Sequence, residues 1–139
     1  MPLIDELDLF PAEQQAIHDL DVQSSLLPNG LMLVRVSGEV DIVTAPGLRD
    51  RVEQAVRRCA DESAAGLVLD LTGVTFLGTA GLSVLLELAE NAAGRDLPWA
   101  VAAAGRAVLR PLAATGHLET VPVYPEVDAA ADVVLTGAG

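Results

Sequence analysis

Two spacings of apolar residues alternate along the chain, and they predict alternating strands and helices. Leu31, Leu33 and Arg35 interleave with Met32, Val34 and Val36, the two-residue period of a strand in a sheet with one fully apolar face. A weaker strand over residues 21–26 precedes it, and Pro28-Asn29-Gly30 joins the two as a turn. From about 45 or 46 to 59 the period changes. Leu48, Val52, Ala55, Val56 and Cys59 fall on one helical stripe, with Arg49, Asp50, Glu53, Gln54, Arg57 and Arg58 opposite. Thr44 is a suitable N-cap for this helix and Pro46 a suitable early residue.

Residues 66–71 are nearly all apolar, as expected of a strand covered on both faces. Val74, Phe76 and Leu77 lead from it into Gly78-Thr79-Ala80-Gly81. A second helix follows over about 80–93, with Leu82, Leu85, Leu86, Ala89 and Ala92 or Ala93 as its stripe and Gly94 as its stop. Residues 97–103 read as a buried strand. Residues 105–115 read as a shorter helix that must accommodate Pro111 and ends at Gly116. A brief strand over 120–123 precedes a last helix opened by Pro125. Glu126 and Asp128 lie in its first turn, and Val127, Ala131, Val134 and Leu135 point inward. The order β-β-α-β-α-β-α-β-α predicts an α/β fold: a mixed, mostly parallel sheet of about five strands covered by four helices.

A length of 139 residues suits one such domain. Residues 1–20 stand apart as an acidic N-terminal extension with Asp5, Glu6, Asp8, Glu13 and Asp19 and no positive charge. Leu3, Ile4, Leu7, Leu9 and Phe10 make it too apolar for a purely disordered tail, and a short helix is expected from Pro11. The domain proper is expected over 21–136, with 137–139 as a tail.

Charge narrows the partners. Acids outnumber bases 20 to 8, for a net charge of −12, and every basic residue is Arg. Binding to phosphates by counterion release needs clustered cations, so direct nucleic-acid binding and docking on an anionic membrane are excluded as main roles. No apolar run approaches the length of a membrane span, and the first residues carry no secretory pattern. Cys59 is alone, which rules out an internal disulfide. A cytoplasmic location is the expectation.

Catalytic chemistry finds few candidates. His18 lies in the extension and His117 follows a helix end, where an imidazole favours the dipole. Cys59 sits on the buried stripe. Asp70, on an apolar strand, reads as a hydrogen-bonding residue near the sheet end. Neither GxSxG nor GxxxxGK[ST] occurs, and Lys is absent. No cofactor or metal site is indicated.

Two segments carry a resemblance. One is Val36-Ser37-Gly38-Glu39-Val40-Asp41, followed by Thr44-Ala45 and the first helix. The other runs from Leu67-Val68-Leu69-Asp70-Leu71 through Thr72-Gly73-Val74-Thr75-Phe76-Leu77 to Gly78-Thr79-Ala80-Gly81-Leu82. With Val108, Leu109, Leu112 and Thr115-Gly116-His117-Leu118 after them, they resemble the STAS domain of bacterial anti-sigma factor antagonists over about residues 21–136. The resemblance implies a STAS-type fold and a binding protein, not an enzyme. It implies a partner too: an anti-sigma factor, usually a kinase, whose capture frees a sigma factor. In that family the kinase phosphorylates a Ser or Thr at the start of the second helix, and a phosphatase reverses it.

The family pattern there is Asp-Ser-Ser-Gly or Asp-Ser-Thr-Gly, with the phosphate on the second hydroxyl residue. The corresponding residues are Gly78, Thr79, Ala80 and Gly81, so the usual acceptor position is Ala80, which has no hydroxyl. Thr79 is the nearby phosphorylation candidate, and its plainer reading is a helix cap. The resemblance implies a partner-binding face of Glu39, Asp41, Thr44, Gly78, Thr79, Ala80, Gly81 and Ser83. Plainer readings stand beside it: Asp41 as a turn residue, Gly78 and Gly81 as turn-forming backbone, Ser83 as structural or surface. A scaffold or small-molecule-sensing STAS module without phosphorylation is the alternative function, and self-association stays open.

Overall fold

Pro28, Asn29 and Gly30 reverse the chain because Gly30 adopts φ +92°, a left-handed conformation that costs glycine little. The N–H of Leu27 donates to the carbonyl of Leu31 at 2.8 Å and that of Gly30 to Leu27 at 2.9 Å. The result is a three-residue hairpin loop. It joins β1 (Leu20–Leu26) to β2 (Leu31–Val40). The computed structural model describes residues 20–137. The extension expected over 1–20, with its helix from Pro11, lies outside them apart from Leu20, as do residues 138 and 139 of the tail.

Beyond the hairpin come α1 (Ala45–Asp61), β3 (Gly66–Leu77), α2 (Thr79–Gly94), β4 (Trp99–Ala102), α3 (Arg106–Ala114), β5 (Val123–Tyr124) and α4 (Val127–Thr136). The five strands form one sheet in sequence order, β1 antiparallel to β2 and the rest parallel. Each parallel crossover steps one place in the same direction. A constant right-handed crossover therefore puts α1, α2 and α3 on one face and leaves the other to α4.

The core follows this division. Met32, Val34, Val36, Leu67 and Leu69 meet Leu48, Val52, Val56 and Leu85 on the three-helix side. Leu31, Leu33, Val68, Ala100 and Ala102 meet Ala130, Ala131 and Val134 of α4 on the other. Burying each such Leu or Val stabilises the fold by about 1.5–3 kcal/mol relative to exposure. Arg49 of α1 and Glu87 of α2 add a two-pronged ion pair at 2.7 and 3.1 Å, which ties the outer surfaces of these helices together.

Several local expectations differ from the structure. β3 runs on through Gly73 to Leu77 because it takes up an extra residue against β2 twice, between Asp70 and Gly73 and between Val74 and Phe76, and the ladder resumes after each. Gly73 is needed there: a Cβ would stand 2.8 Å from that of Ser37. β4 is shorter than 97–103, with Leu97 donating its N–H to Ala92 instead of joining the ladder. The final strand is Val123–Tyr124, not 120–123; Val121 is buried just before it while the N–H of Val101 bonds the carbonyl of Pro122. Pro111 sits inside α3. On α4, Leu135 is 42% exposed and Ala130 takes the inward place assigned to it.

Candidate partner-binding site

At the C-terminal ends of β2 and β3 the chain turns twice, and the two turns share one corner of the molecule. After β2, the carboxylate of Asp41 accepts the N–H groups of Val43 and Thr44, both at 2.9 Å. The hydroxyl of Thr44 accepts the N–H of Asp41 at 2.9 Å and donates to the carbonyl of Glu39 at 2.8 Å. Ala45 then bonds back to the carbonyl of Asp41 at 2.9 Å. This is a reciprocal capping box in which Asp41 does the capping. Thr44, expected as the cap, has helical dihedrals (φ −90°, ψ −21°) and makes no cap bond of its own. Its hydroxyl is already engaged and it is buried.

The box fixes what lies between its two ends. Ile42 is 80% exposed and Val43 57% exposed, held outward by a backbone whose Asp41, Val43 and Thr44 N–H groups are bonded from behind. Beside them, Gly38 of β2 takes a positive φ (+111°) while β3 bulges opposite it. There Glu39 is exposed and pairs with Phe76 of β3, itself 50% exposed.

The second turn leads from β3 to α2. The N–H of Gly78 donates to the carbonyl of Val40 at 2.8 Å, which joins the two turns. Gly78, in extended conformation, is the residue before the helix; Thr79 is its first residue. Thr79 therefore does not cap α2. Its hydroxyl is exposed and has no hydrogen-bond partner among the described residues. Ala80 is half-buried beside it, and Ser83 donates its hydroxyl to the carbonyl of Thr79 at 3.2 Å. Gly81 is buried where a Cβ would meet Val40 Cγ1 at 2.5 Å and Leu77 Cδ1 at 2.6 Å. Only a residue without a side chain lets the first turn of α2 lie so close to the strand ends.

The structure thus gathers all eight residues of the expected face at one corner, in two roles. Glu39, Thr79, Ala80 and Ser83 contribute surface, while Asp41, Thr44, Gly78 and Gly81 shape the backbone beneath it. Sequence reasoning missed Ile42, Val43 and Phe76. Their signal was present: two apolar residues between a capping pair, and an apolar residue two before the turn.

Other groups stand apart from this corner. Asp70 is buried, accepts the N–H and hydroxyl of Thr72 at 3.0 and 2.7 Å and faces Arg35 at 3.5 Å, a hydrogen-bonding role as expected. Burial pushes the Cys59 thiol above its ordinary value, against a smaller opposing pull from Arg58. Among the described residues, no three His, Cys, Asp or Glu side chains group as a metal site, and no helix is long and apolar enough to cross a membrane.

The sequence profile of the STAS domain matches residues 25–130. Over 96 residues the chain is 31% identical to anti-sigma-F factor antagonist RsfB of Mycobacterium tuberculosis (strain ATCC 25618 / H37Rv), which covers 69% of this chain and 75% of RsfB. The chain belongs to the STAS-domain family of anti-sigma factor antagonists. It is similar to a second antagonist, RsfA of the same strain, at 28% identity over 99 residues, 71% of this chain and 76% of RsfA. The crystal structure of an anti-sigma factor antagonist from Mycobacterium paratuberculosis superimposes with a TM-score of 0.72 at 37% identity, covering 83% of this chain and 93% of that one. Anti-sigma factor antagonists regulate transcription through sigma factors, and they do so without catalysis.

Proposed function

We propose that this corner docks a kinase-type anti-sigma factor in the cytoplasm and thereby frees a sigma factor. One observation carries the reading: Ile42, Val43 and Phe76 are exposed together on backbone fixed from behind. Grouped apolar surface with a polar rim marks sites of protein association. Glu39 and the acidic balance of the chain favour a partner with a basic rim. The likeness to the anti-sigma-F factor antagonists RsfB and RsfA supplies the partner class.

Phosphorylation of Thr79 is the proposed switch. A phosphate there meets the free N–H groups and positive end of α2, so the fold tolerates it. It also adds about −1.5 to −2 charge to the docking surface beside Glu39, which opposes binding. A phosphatase would restore it. Ala80 favours a second reading, because the family's usual acceptor position has no hydroxyl: a scaffold or small-molecule-sensing module that binds without a phosphate cycle.

One experiment separates them. The protein is incubated with the kinase-type anti-sigma factors of its own cell, with and without ATP, and followed by binding and mass spectrometry. The first reading expects complex formation, then one phosphate on Thr79 and release, with Thr79→Ala remaining bound. Binding that persists unmodified removes the Thr79 switch and leaves a permanently active antagonist, while a large assembly or a bound small molecule after purification selects the second reading. Binding to none of these proteins overturns the docking proposal.

A further inference from the structure

Among the described residues β1 is an edge strand, and its geometry makes it complementary to itself. It pairs with β2 without a register break, Leu20 with Gly38 through Leu26 with Met32. Leu27 and Leu31 form a hydrogen-bonded pair, since the N–H of Leu27 donates to the carbonyl of Leu31. Antiparallel ladders alternate, so Gln23 and its neighbours two away turn their backbone groups toward β2. The N–H and carbonyl groups of Leu20, Val22, Ser24 and Leu26 therefore point away from the sheet.

Native edges are usually blunted by Lys, Pro, a bulge or a covering loop. β1 has no Lys or Pro, no bulge against β2, and one charge, Asp21. A second β1 laid antiparallel with Gln23 on the twofold axis uses all four outward residues. Leu20 then faces the other copy's Leu26, and Val22 its Ser24. Shifting the register by one pair in either direction loses some of these bonds.

Side chains agree with this register. Asp21 lies opposite Ser25, so no like charges face each other. Leu26 is 41% exposed in the single chain. In the pair it comes beside the second copy's Leu20, at the mouth of a groove of about 620 Å³ lined also by Val22, Gly47 and Arg51. The two Gln23 amides meet on the axis. Each donates to its own Asp21 at 3.2 Å, leaving its oxygen for the opposite amide. We infer that the protein forms a symmetric dimer through β1, which continues the two sheets into one. This goes beyond the docking proposal and does not rest on it, since the backbone register of β1 carries it; Val43 and Thr44 of the docking corner line the same groove beside β1.

Sedimentation equilibrium of the full chain tests the inference, with a mass twice 14.4 kDa expected. The register predicts a specific cross-link. Gln23 is a non-hydrogen-bonded pair on the axis, with Cα atoms about 4.5 Å apart, within disulfide range. Gln23→Cys should therefore give a covalent dimer on oxidation. Ser25→Cys should not, because its copies stand about 14 Å apart at about 3.4 Å per residue. Ser24→Pro removes an outward N–H without touching the β1–β2 ladder, and Gln23→Lys sets two like charges on the axis. Both should be monomers with the parent's circular dichroism, and their urea midpoints should not depend on protein concentration, whereas that of the dimeric parent should. A monomeric parent chain overturns the inference, whether residues 1–19 or nothing covers the edge. So does equal cross-linking of the two Cys variants, or a dimer that survives both Ser24→Pro and Gln23→Lys.

Discussion

Asp41 and Thr44 each accept the other's backbone N–H at 2.9 Å. This reciprocal pair explains why two β-branched apolar residues, Ile42 and Val43, stand exposed between them. Losing either acceptor leaves an N–H unpaired where the chain bends into α1. Asp41→Ala and Thr44→Ala should each lower stability by about 0.5–2 kcal/mol, measured by urea unfolding. Asp41→Asn keeps an oxygen acceptor and should retain most of the stability and the partner binding. If Asp41→Asn instead abolishes binding with stability intact, the carboxylate touches the partner directly.

Ile42 contributes little to the fold, so its removal separates docking from stability. Ile42→Ser should change the unfolding free energy by no more than about 0.5 kcal/mol, and Phe76→Ser, which gives up a half-buried ring, by about 1–2 kcal/mol with the fold retained. Each should weaken the complex with the anti-sigma factor by roughly 1–2 kcal/mol or more, about tenfold in Kd. Titration calorimetry reads the difference.

Gly81 and Gly47 make opposite predictions from the same substitution. Gly81→Ala forces a methyl into Val40 and Leu77 and should cost about 1–3 kcal/mol, with weaker partner binding as α2 shifts outward. At Gly47, in the first turns of α1, a Cβ meets nothing within 4 Å. Gly47→Ala should stabilise the protein by about 0.4–1 kcal/mol.

Cys59 should resist alkylation in the native state at neutral to mildly alkaline pH and react fully in urea, because burial raises its thiol above the ordinary 9.0. The folded protein prefers the neutral thiol. Its contribution to stability is thus complete below that value and declines as pH rises through the folded-state value. Cys59→Ala should remove this alkaline decline while leaving other pH dependence in place. Unfolding midpoints from pH 7 upward provide the check.

Long periodic segments were legible in the sequence because their burial is one-sided or complete. The stripe of α1 is an example: Leu48, Val52, Ala55, Val56 and Cys59 are all buried as spaced. Where small residues crowd, spacing no longer discriminates. In α4 an Ala-rich first half lets Ala130 or Leu135 face inward equally well by pattern, and packing against the short strands selects Ala130. The site was legible as a motif and not as a surface. Asp41 and Thr44 were read singly, and only the bonds between them show that one caps, the other closes the box, and Ile42 and Val43 are presented. Phe76 was read only as leading into the turn, and the bulge in β3 is what sets it opposite Glu39 on the surface.

The space that Gly81 leaves is filled completely by Val40 and Leu77, so the inner side of this turn allows no variation while the outer side allows a great deal. Thr79, exposed on the outer side, can be exchanged for a methyl or a carboxylate without moving the main chain, while Ala80 and Ser83 stand half-buried beside it. Selection can thus retune which partner is accepted, and whether a phosphate intervenes, at little expense to folding.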